Sequence, residues 1–491
     1  MQDIVDAMLV EFDRDPTEAL NRRPAKLDPE GRPVGPETAF SPWDLRAGRD
    51  ISGRDRFRKT LSMLDHGVLI RLGDILPGRA PCAEADRAEY LVDRLEHRTL
   101  EAMQAADLTA ARLDESPWSD DYWALYLGVL GKRYADDRFP SADDWHENYA
   151  YTQRHPARDI VAREVAGEID VLSPAEKYDI LVGDTNMSLT QRMWAEGKYY
   201  YDHNGEVESW MGICHGWAPA SYCLPRPRRA VDVLAADGRT RLRFYPSDIK
   251  GLATLLWANA DTVSRFVGGR CNDKKPAVDA SGRLVSERCF DTNPGTFHLG
   301  VVNQLGVSRR SAIMDATYDY EVWNQPLYGY RYSLFNPQTR RYTPDLAAAK
   351  VSRGDYTRDH FKARRGPAAA SYVGVMMQLS YVVETAPTHA LEDSPAEDRV
   401  RTARYLYDLE LDASGQIVGG EWYTNKHPDF LWTPPPGTRA RTPADALING
   451  SWPAGAPVPE AWRRPAWRAS DSASPSPLAA IVEALIERSR G

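Results

Sequence analysis

The chain is 491 residues long, room for about three domains at roughly 150 residues each. Hydrophobic residues make up 42% and charged residues 27%, ordinary usage for a chain with a sizeable buried core, and no apolar run approaches the roughly 18 residues that cross a bilayer. A formal net charge of -9 argues against a broad phosphate-binding surface, which sets aside a membrane span and general nucleic-acid binding.

The N-terminus, MQDIVDAMLVEFDRDPTEAL, has no basic stretch followed by an unbroken apolar one, so no export signal is visible in it. Residues 1–56 turn Pro-, Asp- and Arg-rich after one amphipathic turn and read as an arm. Residues 57–150 read as a helical region in the position of a prosegment. In it AEADRAEYLVDRLEHRTLEAMQ repeats Leu91, Leu95 and Met103 at roughly helical spacing, and SPWSDDYWALYLGVL offers Ser119 as a helix N-cap. SPAEKYDILV is clearer: Ser173 caps, Pro174 stands at the first helical position and Glu176 at the third, the capping-box arrangement.

Residues 151–450 form the expected catalytic region, its core about 190–435. The stretch 190–330 is rich in Trp, Tyr, Gly and Asn. VGVMMQLSYVVET then alternates Val375, Met377, Leu379, Tyr381 and Val383 on one strand face, and RYLYDLEL, DASG and QIVGGEWY read as a hairpin. Residues 451–491 are a Pro-rich linker and a short helix with Leu478, Ile481, Val482 and Leu485 on one face, marginal if bare. Helical before the centre and β-rich after it, the chain is expected to be α+β.

Of the cysteines at 82, 214, 223, 271 and 289, an odd count leaves at least one thiol free, and no CxxC or HExxH pair offers metal-ligand spacing. A bridge between Cys271 and Cys289, flanking NDKKPAVDASGRLVSER, closes a loop worth about 3 kcal/mol in an entropic model. Cys214 stands in SWMGICHGWAPASY, where Gly212 permits a turn and Ala218, Ala220 and Tyr222 continue as helix. A cysteine that opens a helix gains thiolate character from the helix N-terminus. Pro219 conflicts in part, because it deletes one backbone donor.

A thiolate nucleophile needs a base, and the base needs an orienting acceptor. His298 lies 84 residues after Cys214, and Asp315 lies 17 residues after His298. That second gap accommodates two neighbouring strands and their connection. On a strand Ile313, Asp315, Thr317 and Asp319 share a face, which keeps Asp319 open as a second acceptor, and His427 in NKHPDF is a rival base. His215 projects about 100° from Cys214 on a helix and is a poor partner. For the oxyanion the Cys214 backbone N–H is the default donor, with the indoles of Trp210 and Trp217 as side-chain donors and the Gln191 carboxamide as another.

Three stretches, SWMGICHGWAPA, MDATYDYEVWNQP and GGEWYTNKHPDFLW, resemble the transglutaminase elicitor family, known from Phytophthora and marine bacteria. The resemblance covers roughly 150–435. It implies a papain-like cysteine-protease-type core and a calcium-dependent, secreted protein-glutamine gamma-glutamyltransferase with Cys214 as nucleophile. It also implies that Val322, Trp323, Asn324, Gln325 and Pro326 begin the surface peptide recognised as an elicitor. The following LYGYRYSLF keeps a glycine and aromatic character but lacks a basic residue directly before the glycine.

The expected function is therefore isopeptide crosslinking between protein glutamine and lysine through a Cys214 thioester, with His298 as base and Asp315 as its acceptor. A cysteine peptidase or glutamine deamidase using the same residues is the alternative. Ca2+ is the implied cofactor, with no DxDxDG loop to hold it. Proteins bearing accessible glutamine and lysine are the implied partners.

Overall fold

The structure is a computed structural model that describes residues 1–21, 86–269, 277, 291–316, 322–424 and 426–491. Its sheet strands are β1 (Ala110–Arg112), β2 (Val231–Leu234), β3 (Arg241–Phe244), β4 (Arg265–Gly268), β5 (Ile313–Asp315), β6 (Asn324–Phe335), β7 (Lys350–Ser352), β8 (Ser371–Val383), β9 (Arg399–Leu411), β10 (Ile417–Trp422) and β11 (Phe430–Thr433). The helices that matter below are α1 (Gln2–Arg14), α2 (Pro174–Val182), α3 (Ser188–Asn204), α4 (Cys214–Cys223), α5 (Pro246–Asn259), α6 (Pro294–Val301), α7 (Glu460–Ser470) and α8 (Ala479–Arg490).

Among the described residues, nine strands form one antiparallel sheet in the order β10-β9-β8-β6-β5-β11-β4, with β1 added to β6 and β7 to β8; β2 and β3 pair separately. The sheet curls into half a barrel. Val375, Met377 and Leu379 of β8 enter one core, while Met376 between them enters another, so both faces of this long strand are covered. β9 turns through Asp412–Gln416 into β10, as the hairpin pattern predicts. The Asp412 carboxylate accepts from Ser414 N and Gln416 N, and Gly415 supplies the positive φ of 84°.

α2 is capped as its sequence predicts: Ser173 Oγ accepts from Glu176 N at 3.3 Å, and Glu176 Oε2 accepts from Ser173 N at 2.9 Å. α4 and α5 cross at Gly216, where a Cβ would meet the Thr254 carbonyl at 2.2 Å. Glycine there lets the cysteine-bearing helix approach its neighbour to backbone contact.

Four expectations about the periphery differ from what is seen. The described part of the N-terminal arm is helical, and Val5, Leu9 and Phe12 of α1 pack on Phe335, Phe361, Met376, Leu406 and Tyr423. Residues 86–150 hold few α-helical turns. Ser119 caps no helix, because its hydroxyl donates to Val383 O and accepts from Arg399 N, and 3-10 turns follow it at Leu125–Leu127 and Val129–Gly131. The same stretch supplies β1 to the sheet and Trp118 and Trp123 to the main core. The Pro-rich C-terminal stretch is no linker: Trp462 and Ala466 of α7, and Ile481, Val482 and Leu485 of α8, lie in the same core. Burial of that face supplies the stability a bare short helix lacks.

Candidate active site

α4 lies along one face of the β5–β6–β11 segment, and the pairing register dictates what it meets. Asp315 pairs with Asn324, Ile313 with Pro326, and Trp432 with Ile313. Residues paired directly across strands project to one face, as do residues two apart on a strand. Ile313, Asp315, Asn324 and Trp432 therefore face α4. Along the helix, positions four apart stack above one another. Cys214 meets Asn324, Ala218 packs with Ile313, Phe430 and Trp432, and the Tyr222 hydroxyl bonds Thr433 Oγ1 at 2.9 Å.

Cys214 is the first residue of α4 and is 6% exposed. Its approach is shaped by Gly212, where a Cβ would lie 2.5 Å from the Tyr122 carbonyl; the same carbonyl accepts from Ile213 N at 2.7 Å. Asn324 Nδ2 donates to Cys214 Sγ at 3.5 Å, and the thiol faces Val322 O at 3.7 Å. The carboxamide cannot turn round without losing a bond, because Asn324 Oδ1 accepts from Trp432 Nε1 at 2.8 Å. Asp315 Oδ1 accepts from Trp323 N at 3.1 Å, which holds its carboxylate beside Asn324.

Burial pushes the thiol up to about 11; the Asn324 side-chain and backbone N–H donors oppose this, and the carboxylates of Glu384 and Asp315 reinforce it. The resting sulfur is accordingly a thiol, and its activation calls for a nearby proton acceptor.

His298 is not brought to it. Rather than standing on a strand beside Asp315, it is a fully buried residue of α6, with Nδ1 at 2.8 Å from the Tyr407 hydroxyl and its ring 4.8 Å from that of Tyr332. Tyr332 is eight residues along β6 from Asn324, roughly 25 Å at strand rise. The two histidine-bearing and cysteine-bearing helices also take opposite faces of β5: Met314 shares a core with Phe297, while its neighbour Ile313 shares one with Ala218. His427 is buried on the His298 side, stacked on Trp422 at 4.6 Å with Nε2 3.6 Å from Asp291 Oδ2. His215 is buried beside Cys214 on α4.

The tryptophans expected as oxyanion donors have their N–H groups engaged. Trp217 donates to Trp118 O at 2.9 Å, and Trp210 donates to the Glu208 carboxylate. Gln191 Nε2 donates to Asn186 O. The elicitor-like residues are not a surface peptide: Val322, Asn324, Gln325 and Pro326 are buried and Trp323 is half-buried; Asn324, Gln325 and Pro326 pair with β5, and of these Asn324 and Pro326 share the face turned to α4. Asn324 thus has a site role that its place in that peptide did not reveal. Trp432 and Glu384 were not singled out either, and no local pattern marks them. Asp319 and the pair Cys271 and Cys289 lie outside the described residues. Among those described, Cys214 and Cys223 are free.

Among the described residues no three carboxylate, histidine or cysteine side chains converge to hold a metal ion. Also among them, no helix is long and apolar enough to cross a membrane.

Residues 90–448 match the family model described as Transglutaminase elicitor. The chain belongs to that family. A solved relative, the GP42 transglutaminase from Phytophthora sojae, is 22% identical over 70% of this chain and 88% of that one, with a TM-score of 0.48. No curated protein sequence matches. Within this family member, Cys214, Asn324 and Asp315 are the chemistry-bearing groups that the fold gathers.

The buried histidine carries its own expectation. Burial lowers His298 to about 3, so the folded chain keeps it neutral while the unfolded chain takes up a proton below its ordinary value near 6.5. The unfolded state is then favoured as pH falls, by about 2 kcal/mol at pH 5 relative to pH 7.5. Urea unfolding of wild type and His298→Gln at both pH values checks this. The stability cost of the substitution should shrink by about that amount at pH 5; an unchanged cost shows that His298 ionises freely in the fold.

Proposed function

We propose that this protein is a protein-glutamine gamma-glutamyltransferase, acting by acyl transfer through Cys214. The observation that carries the reading is the convergence of a helix-opening thiol, an oriented carboxamide and a carboxylate, in a chain of the transglutaminase elicitor family. A cysteine at the N-terminus of a buried helix lying on an antiparallel sheet is also the layout expected of a papain-like core, and supports that finer reading of the fold.

Cys214 Sγ attacks the side-chain carbonyl of a protein glutamine, and its proton passes to the Asp315 carboxylate. The Cys214 backbone N–H and Asn324 Nδ2 stabilise the oxyanion. Asp315 returns the proton to the departing nitrogen, the C–N bond breaks, ammonia leaves and a thioester remains. A lysine amine then attacks the thioester, its excess proton returns to sulfur, and an isopeptide bond is left. In this scheme Asp315 is the base itself rather than the acceptor behind a histidine. Protein substrates follow from the family, and an extracellular setting accords with it.

The test is incorporation of a fluorescent primary amine into a glutamine-bearing protein, with ammonia release followed in parallel and the acceptor analysed by mass spectrometry. Amine uptake matched by ammonia is expected. Ammonia with glutamate and no amine uptake reassigns the protein as a deamidase, and a cleaved chain reassigns it as a peptidase.

A further inference from the structure

Where β6 carries Asn324 and Gln325 past the end of β8 stands a pair of acceptors that acylation leaves unused. Gln325 follows Asn324 on β6, is 3% exposed, and donates from Nε2 to Glu384 Oε1 at 2.7 Å. Its Oε1 is buried and has no hydrogen-bond partner among the described residues. Glu384, directly after β8, is largely buried but keeps part of its surface exposed. Val382, two residues before Glu384 and so on the same strand face, lies in the core that holds Cys214; Glu384 acts electrostatically on both Cys214 and Tyr122, and the Tyr122 ring lies 5.3 Å from that of Trp323. The neighbouring charges on Glu384 are Asp121 and Arg401, of opposite sign.

A buried carboxamide oxygen without a donor is costly, and a carboxylate beside it favours a cation. A primary ammonium, with three N–H donors and a positive charge, satisfies both acceptors together. We propose that Glu384 and Gln325 are the docking site for the ammonium of the acceptor lysine. This rests on the acyl-transfer reading. Glu384 takes one proton from the ammonium, giving a neutral amine and a carboxylic acid. The amine attacks the Cys214 thioester, a C–N bond forms, the C–S bond breaks, and the second nitrogen proton goes to sulfur. Burial, partly offset by the Gln325 hydrogen bond, holds Glu384 at about 7, suited to exchanging this proton near neutral pH.

Two measurements on the full chain test the site. In the first, Cys214 is labelled with 2-aminoethyl methanethiosulfonate, which is cationic, and with methyl methanethiosulfonate, which is neutral; peptide mapping isolates Cys214 from the other cysteines. Glu384→Gln should lower the cationic-to-neutral rate ratio about tenfold, while Glu384→Asp keeps most of it. In the second, the kcat/KM ratio for cadaverine over hydroxylamine, a mostly neutral amine at pH 7.5, should fall tenfold or more in Glu384→Gln. Unchanged ratios overturn the docking site. If the wild type transfers neither amine, the acyl-transfer reading fails, and the labelling ratio still judges whether a cation site adjoins the thiol.

Discussion

Cys214→Ala is expected to lower amine incorporation by on the order of 10⁶, the loss seen when a catalytic nucleophile is removed from a unit that acts together. In the proposed route sulfur is the atom that changes bonding partner twice, and nothing else along α4 can replace it: Ala218 and Tyr222, one and two turns on, are packed against β11 and the end of the sheet. The substitution removes one buried, weakly hydrogen-bonded atom. Thermal unfolding should therefore shift little, and the activity loss is separable from misfolding. Ammonia release must fall with amine uptake, since both depend on the thioester. Retained transfer in a folded Cys214→Ala variant rules out the covalent route.

The second large effect separates the two groups that chain spacing joined. Asp315→Asn keeps the shape of the side chain and its acceptor for Trp323 N, but it cannot hold the thiol proton. Its kcat should drop by roughly 10²–10⁴, the usual contribution of a general base. His298→Gln, read at pH 7.5 on protein shown to be folded, should change kcat less than about threefold, because the imidazole sits on the far side of the sheet against Tyr332 and Tyr407. Measuring both variants in one assay gives a clean decision. A collapse in His298→Gln with near-normal Asp315→Asn would mean that the site rearranges to admit the histidine, and the carboxylate would lose its proposed role.

Local and distant residues contribute differently to this fold. The capping box of α2, the helix that opens at Cys214, the β9–β10 hairpin and the apolar stripe of α8 were all legible, because each depends on residues within about a dozen positions of one another. Alternation also placed Ile313 and Asp315 correctly on one face of a strand. The same reasoning failed for His298. Its surroundings, PGTFHLGV, form a capped helix, and a gap of 17 residues states only that two segments can be near, not which side of a sheet each occupies.

The sequence by itself determined the helix that opens at Cys214 and the strand that carries Asp315, since those follow from dihedral preference and hydrophobic period over short stretches. Only the tertiary structure decided what surrounds the sulfur. Asn324 comes from a strand 110 residues away, and Trp432, which orients Asn324, from a third segment of the sheet. Glu384 joins them through the β6–β8 pairing. Strand register and the choice of face bring such residues together, and both are set by burying whole surfaces at once, so no stretch of chain encodes them alone.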